Sequence, residues 1–496
     1  MIKYVSDLIK LKDIEQWFQG CIIAINAPTG SGKSHFIKTV LKDYCKIHDK
    51  TILLLTNRDI LKDQFIHEII EDDEDGIIKV VNYQSIETKI IYDIPLEEYD
   101  YIVCDEYHYL FNDTFNFCTD ISLDYILGQT FNTKILLSAT STVPIKYLEE
   151  VKQLEIIKYE IESNYDYIDK LYFYENDDVI LKLLNELPEN EKAIYFTKAN
   201  VSYDFSKQIE DSAFICSKHN SKFRRHINEE EKQNIIENEM FDSKILFTTI
   251  ALDNGVNIKD TQLKHIIIDT FDLDTIQQCL GRKRIINEDE KVIVYIKNWS
   301  NKKLNGKKTS LNNTIKYAEY LKNGLSSEDL VKEYKHKNTY GNLIYDIVND
   351  NKIIKHVNEA IYFKFKYDIE QIELYMESEY MDFVAERFNQ DEYFDLEQEV
   401  DAMTLEDKLD KLVGIKMFKD EQEKFKEFLT EELFGNPKSN HGCLGINSIK
   451  GFFQDNNLSY DIDNKKENSK KSEYRGKHYW VISKKIYEID TKFTKT

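Results

Sequence analysis

Seven cysteines (Cys21, Cys45, Cys104, Cys118, Cys216, Cys279, Cys443) are scattered through 496 residues, with no CxxC pair and no histidine cluster at zinc spacing. That scatter excludes a disulfide scaffold and a zinc module, and fits small core residues in a reducing compartment. The N-terminal Met1-Ile2-Lys3-Tyr4 opens no long apolar stretch. No later run approaches the roughly 20 apolar residues that a spanning helix needs. A soluble, cytoplasmic protein without membrane contact is expected. Positive charge is also short, with 66 Lys and Arg against 89 Asp and Glu for a formal net charge of -23. Bulk charge thus excludes wholesale coating of a polyanion, while leaving room for a local basic groove.

What is present points to several cores. With 42% hydrophobic and 12% aromatic residues, a chain of this length is expected to divide into three or four domains. Short apolar runs at Ile22 to Asn26, Thr51 to Thr56, Ile77 to Val81, Tyr101 to Cys104 and Lys134 to Ser138 are spaced by helical-length segments. Near-continuous apolar strands of this kind belong to a parallel sheet covered on both faces. A second series runs Ala193 to Phe196, Ala213 to Cys216, Lys244 to Phe247, His265 to Asp269 and Val292 to Ile296. The two series predict tandem α/β domains.

The octapeptide Ala27-Pro28-Thr29-Gly30-Ser31-Gly32-Lys33-Ser34 joins the first strand to a helix-like stretch. This is the strand, glycine loop and helix order of a phosphate cradle. Backbone N–H groups of Thr29 to Ser34 can wrap phosphates, Gly30 and Gly32 remove obstructing Cβ atoms, and Lys33 supplies a point charge. The Ser34 hydroxyl suits Mg²⁺. Mg-ATP is the expected ligand. Tyr101-Ile102-Val103-Cys104-Asp105-Glu106 then sets two carboxylates at the end of an apolar strand, where ligands of open α/β sheets collect. Asp105 is suited to the metal and Glu106 to orienting and deprotonating an attacking water. The second series has no glycine loop of its own.

These residues resemble superfamily 2 nucleic-acid helicases of the DEAD/DEAH-box kind over roughly residues 20 to 300. Asp105-Glu106-Tyr107-His108 is similar to the family's DExH box and Ser138-Ala139-Thr140 to its SAT motif. Thr56-Asn57-Arg58, Tyr83-Gln84-Ser85, Tyr195-Phe196-Thr197 and the stretch Thr249 to Asn257 resemble further motifs. Gln278-Cys279-Leu280-Gly281-Arg282-Lys283-Arg284 is similar to the sixth, in the shorter form of the herpesvirus origin-binding type. The resemblance implies two RecA-like domains with ATP between them, Gln278, Arg282 and Arg284 reaching the γ-phosphate, and either arginine serving as the finger. It places Gly255 and Asn257 near the nucleotide, and Arg58, Ser85, Thr197 and Thr249 on the nucleic-acid strand. DNA is preferred over RNA as the partner. An RNA helicase of the same mechanism and an ATP-switched loading protein remain the alternatives.

The rest of the chain divides further. Residues 301 to 308 read as a polar, basic linker, followed by a helical region. Between Asp368 and Asp401 about 13 acidic residues stand against the single Arg387. Such a run is a solvated helix face or a docking surface for a protein partner. From Pro437 the balance reverses, about 12 Lys and Arg against about 7 Asp and Glu. There an amphipathic helix from Ile446, a strand near Leu458 to Ile462, a Lys-rich turn and a strand at Tyr479 to Ile482 give a winged-helix-like order. The expected domains are 1–150, 151–300, 301–436 and 437–496.

Overall fold

The computed structural model describes residues 4–57, 76–112, 116–217, 220–250, 257–287, 289–334, 342–349, 352–402, 405–434, 444–456, 458–469, 472 and 474–484. Strands β1 Ile22–Asn26, β2 Ile52–Thr56, β3 Ile78–Asn82, β4 Tyr101–Asp105, β5 Thr133–Ser138 and β6 Ile156–Glu160 form one parallel sheet in the order β3-β2-β4-β5-β1-β6. Alternation explains why it is covered on both sides. In β4, Tyr101 and Val103 enter one core while Ile102 and Cys104 enter the other; in β5, Ile135 and Leu137 part from Leu136 in the same way.

Strands β7 Ile168–Tyr174, β8 Lys192–Thr197, β9 Ser212–Ile215, β10 Ile245–Thr249, β11 Leu263–Ile268 and β12 Val292–Lys297 build the second parallel sheet. With a short strand after the helical region, β15 Phe394–Asp395, its order is β15-β7-β12-β11-β8-β10-β9. The fold class is the one expected: two tandem parallel α/β lobes, a helical region and small antiparallel sheets. β6 and β7 escape the sequence reading. β6 is half exposed at a sheet edge and reads Ile-Ile-Lys-Tyr-Glu, so its apolar signal is weak. It carries the first lobe to Glu160, past the boundary placed at 150.

Residues 301 to 308 are not a linker. They open the helix Asn301–Lys322, because Leu304, Leu311, Ile315 and Ala318 fall on one buried stripe while Lys302 and Lys303 face outward, Lys307 lies over the Phe271 ring and Lys308 pairs with Glu373. The region beyond is not wholly helical either: β13 Ile344–Asn349 and β14 Lys352–Val357 form an antiparallel hairpin. The helix Glu359–Glu377 follows and touches both lobes. At its start Ala360 lies in the first lobe's core, Phe363 packs edge-on to Tyr147 at 5.2 Å, and Asn358 donates to Phe117 O and Thr119 Oγ1. Towards its end Ile372 and Tyr375 join the second lobe's core. The acidic run thus splits between packed groups and a solvated face of Glu370, Glu373 and Glu377.

The hairpin is pinned to the first lobe by one buried carboxylate. Asp120 accepts from Tyr345 Oη at 2.9 Å and lies 3.0 Å from His356 Nε2. The bond to Asp120 raises the His356 pKa above its ordinary 6.5, against the effect of burial. A raised folded-state value means that the ion pair stabilises fully below the ordinary value and is lost as pH climbs through the raised one. Hydrogen exchange of β13 and β14, corrected for intrinsic rate, should quicken as pH rises above the ordinary histidine value of about 6.5. In His356→Gln the step should vanish; an unchanged step would remove His356 as its origin.

Glu397–Thr496 forms a separate compact unit. Its core draws Leu409, Met417, Phe425 and Leu429 from before residue 437 and Ile449, Phe453, Tyr460, Ile462, Trp480 and Ile482 from after it. The unit is therefore larger than the expected 437–496. Among the described residues, no helix is long and apolar enough to cross a membrane. The six cysteines among the described residues are free thiols, and burial pushes Cys45, Cys104 and Cys279 up to about 12.

Candidate active site

The glycine loop runs from the end of β1 into the helix that begins at Lys33–Phe36. Gly30 and Gly32 have φ of +86° and +76°, the left-handed region that only glycine enters without penalty. At Gly30 a Cβ would also lie 3.0 Å from Arg284 Nη1 of the second lobe. Lys33 is buried, and its Nζ donates to Ala27 O at 2.8 Å, which holds the ammonium inside the loop. Ser31 Oγ donates to Pro28 O. Ser34 is exposed on the first helical turn.

β5 separates β1 from β4, so the loop and the Asp105-Glu106 pair leave the same edge of one parallel sheet. Asp105 is buried, and Tyr83 Oη donates to its carbonyl at 3.0 Å. Glu106 has φ +48°. A left-handed, non-glycine residue costs on the order of 1–2 kcal/mol, strain that collects at functional sites. Burial, and next the charge of Glu106, push the Asp105 carboxyl up to about 7 against the pull of Lys33. Burial also pushes Glu106 up, but Lys33, His108 and Arg282 more than reverse it and bring it down to about 2. The pair is thus divided into a carboxylate fixed as the anion and a neighbour that gains from an added cation.

Asp105 and Ser34 offer hard oxygen donors. Among the described residues, no cluster of three or more His, Cys, Asp or Glu could hold a metal unaided. So sparse a protein donor set fits Mg²⁺, whose shell is usually completed by phosphate oxygens and water.

A chain of hydrogen bonds leads from Glu106 to the second lobe. His108 Nδ1 lies 3.2 Å from Glu106 Oε2 and 2.9 Å from Ser138 Oγ. Ser138 Oγ donates to Thr140 O and accepts from Thr140 N, so its remaining lone pair requires the proton on His108 Nδ1, an assignment made from the network. Thr140 Oγ1 then accepts from Gln278 Nε2 at 2.9 Å, across the cleft. Beside it Gln277 Nε2 donates to Ala139 O at 2.9 Å, and Thr29 Oγ1 to Gly281 O at 3.4 Å. The sequence reading selects Gln278 and misses Gln277; nothing in an adjacent glutamine pair says which one faces which loop.

After the helix Leu273–Leu280 the chain extends and bridges to Ile258: Ile258 N donates to Arg282 O and Arg284 N to Ile258 O, both at 2.8 Å. Alternate residues of an extended chain point to opposite sides. Lys283 accordingly turns into the core, where it pairs with buried Glu290 and donates to Asp260 O at 3.0 Å. Arg282 and Arg284 turn the other way. Arg284 meets Gly30, with its Nε donating to Asn257 Oδ1 at 2.8 Å, while Arg282 is among the charges that lower Glu106. Burial, and next Arg282, push Arg284 down to about 10, which still leaves it charged at neutral pH. The Arg-Lys-Arg order thus brings two guanidinium groups to one side with a spacing of two.

Support for this segment comes from the acidic region. Buried Lys364 pairs with Asp272 at 2.7 Å and with Asp368, and Asp272 caps the helix by accepting from Thr275 N. Arg387, the one base of the acidic run, donates to Asp274 Oδ1 at 3.1 Å and to Gln277 Oε1 at 2.8 Å. Burial works against the Lys364 charge, but Asp272 and Asp368 hold its pKa above the ordinary lysine value. Lys364→Ala leaves two carboxylates without their counter-charge, and a loss of about 3–5 kcal/mol is expected. Urea unfolding followed by fluorescence measures it; a shift within error would mean that the triad is idle.

The strand-contact candidates fare unevenly. Arg58 lies outside the described residues, as do Gly255 of the nucleotide side and Lys218, which with Lys222, Arg224 and Arg225 makes a small basic patch in the sequence. Ser85 is half-buried on the helix Tyr83–Ile91, and the rest of that patch, Lys222, Arg224 and Arg225, is exposed. Thr197 is corrected: it is fully buried and its hydroxyl donates to Asp269 Oδ2 at 3.0 Å, which leaves nothing for a strand. Among the described residues Thr249 Oγ1 is buried without a partner, and so are both side-chain polar atoms of Asn57, at the C-terminal ends of β10 and β2. Asn57 is easily passed over beside the more conspicuous Arg58.

No protein-family model and no curated protein matches this sequence. Solved structures similar to the chain include a leucine-to-valine variant of S. cerevisiae Dbp5 bound to RNA and ADP BeF3, at 17% identity and a TM-score of 0.40. Another is S. cerevisiae Dbp5 bound to RNA and ADP BeF3, at 16% and 0.38. Each likeness covers 56% of this chain and 78% of the other.

Proposed function

We propose that the chain is an ATP-driven nucleic-acid motor of the helicase kind, hydrolysing ATP between its two α/β lobes. The observation that carries this reading is the Arg284 guanidinium lying against Gly30 of the glycine loop from the opposite lobe. A positive group delivered in this way stabilises charge on a γ-phosphate only while the lobes are together, so breaking the bond weakens the contact between them.

The remaining roles follow from position. The backbone of Thr29 to Ser34 and Lys33 hold the phosphates, and Glu106, kept ionised, orients and deprotonates the attacking water. Ser34 and Asp105 would hold Mg²⁺, which when bound neutralises phosphate charge. The bonds from Glu106 through His108, Ser138 and Thr140 to Gln278 join the base to the helix that carries the arginines. Half-buried Ser85 and Thr249, one on each lobe, and Arg58 are the candidate strand contacts, while the Asn57 side chain is buried with no partner among the described residues.

The strand is DNA in this reading, on the order of elements in the C-terminal unit. Strand displacement from forked DNA and forked RNA of one sequence, with Mg-ATP, tests both parts. DNA unwinding that Glu106→Gln abolishes is expected. Unwinding of RNA alone would transfer the motor to RNA, and ATP hydrolysis without displacement of either would leave a loading protein.

A further inference from the structure

The C-terminal unit carries a polar helix face and a group of exposed cations. In chain order it has the helix Leu405–Asp410, a segment whose Met417 pairs antiparallel with Trp480, the helix Lys419–Phe434, the helix Ile446–Asp455, and a hairpin. The hairpin strands are β16 Tyr460–Lys466 and β17 His478–Lys484. Ile449 and Phe453 bury one side of the helix Ile446–Asp455. The other side shows Asn447, Ser448 and Gln454 to solvent, neutral groups that both donate and accept hydrogen bonds, with exposed Asp455 at its C-terminal end.

The hairpin's charges divide into two sets. Lys450 pairs with Asp461 at 3.0 Å and Lys484 with Asp410 at 2.6 Å, which tie the hairpin to two helices, and Lys416 of the Met417 segment pairs with Glu467 at 2.5 Å. Lys466, Arg475 and Lys477 are exposed and make no ion pair among the described residues. The turn that carries two of them is braced, since Tyr474 stacks on Phe418 at 4.2 Å and Lys477 Nζ lies 5.0 Å from the Tyr474 ring. In a chain of net charge -23, these three exposed cations, two of them on a braced turn and without an ion pair among the described residues, make a local site for a polyanion.

We propose that this unit is a second nucleic-acid site, specific for duplex DNA and independent of ATP. The helix Ile446–Asp455 enters the major groove, and Lys466, Arg475 and Lys477 rest on the adjacent phosphates. The groove of B-form DNA, about 12 Å wide, admits a helix about 10–12 Å across, whereas the deep, narrow major groove of A-form RNA does not. Neutral polar groups suit base edges, and cations suit phosphates. The inference takes its purpose from the motor reading, but its chemistry uses none of the ATP site.

Binding of the full chain to a labelled 20-base-pair DNA duplex, to the RNA duplex of the same sequence and to single strands, without nucleotide and across a salt series, tests it. Lys466→Glu/Arg475→Glu/Lys477→Glu should weaken duplex DNA binding at least tenfold and flatten the salt slope by about 2–3, one phosphate contact per cation. Asn447→Ala/Gln454→Ala should weaken it while leaving the slope alone. Lys33→Ala should bind the duplex as the unaltered chain does, so a failed ATPase assay and a failed duplex assay remain separate results. Equal affinity for the RNA duplex, full competition by polyglutamate, or a charge-reversed protein that melts normally and binds unchanged would overturn the proposal.

Discussion

Lys33→Ala and Glu106→Gln should each reduce nucleic-acid-stimulated ATP hydrolysis by at least a hundredfold while the protein stays folded. The two fail for different reasons. Lys33 holds its ammonium inside the loop through Ala27 O, so alanine removes the only side-chain charge the loop offers to phosphates and should raise the KM for ATP as well. Glu106→Gln keeps the shape and can still accept from His108 Nδ1, but it cannot take a proton. Loss of a general base costs about 10²–10⁴ in rate, with nucleotide binding retained. Steady-state phosphate release and binding of a fluorescent ATP analogue separate the cases. A Glu106→Gln enzyme within tenfold of the original rate would remove the carboxylate from the reaction.

The second large effect is expected at the cross-lobe arginines. Arg284→Ala and Arg282→Ala should each lower kcat by about 10³, the lower end of what an arginine finger supplies. Neither should much alter melting, because both side chains face the cleft. Lys283, between them, is the internal control: it pairs with buried Glu290, so Lys283→Ala should lower the melting temperature through an orphaned carboxylate. Arg284→Lys keeps the charge and loses the fork that spans Asn257 and the loop, so partial activity is expected. If Arg284→Ala melted early and Lys283→Ala lost only activity, the assignment of faces along this segment would be reversed.

The elements legible in the sequence are those with one strong local signal. Strands β1, β4 and β5 are apolar on both faces, and the glycine loop and Asp105-Glu106 follow directly from two of them. Harder to see are features that depend on partners distant in the chain. Nothing near Arg387 says that it reaches Gln277, 110 residues away, though a lone base in an acidic run is a usable hint. Lys364 reads as one lysine among many until Asp272 and Asp368 surround it. Thr197 misleads because a motif position gives residue type but not burial. The lysines of 301–308 hide a helix, since the stripe anchored by Leu304 becomes visible only with Leu311, Ile315 and Ala318 further on.

At the centre of the account is a single ATP broken between a lobe that brings the loop and carboxylates and a lobe that brings the arginines. Phosphate release from Mg-ATP by the purified full chain, with and without single-stranded DNA or RNA, tests this most directly. Slow release by the protein alone, stimulation of about tenfold or more by a strand, and loss of the stimulated rate in Arg284→Ala are expected. Release no faster than background with every strand tried, or full stimulation without Arg284, would contradict it.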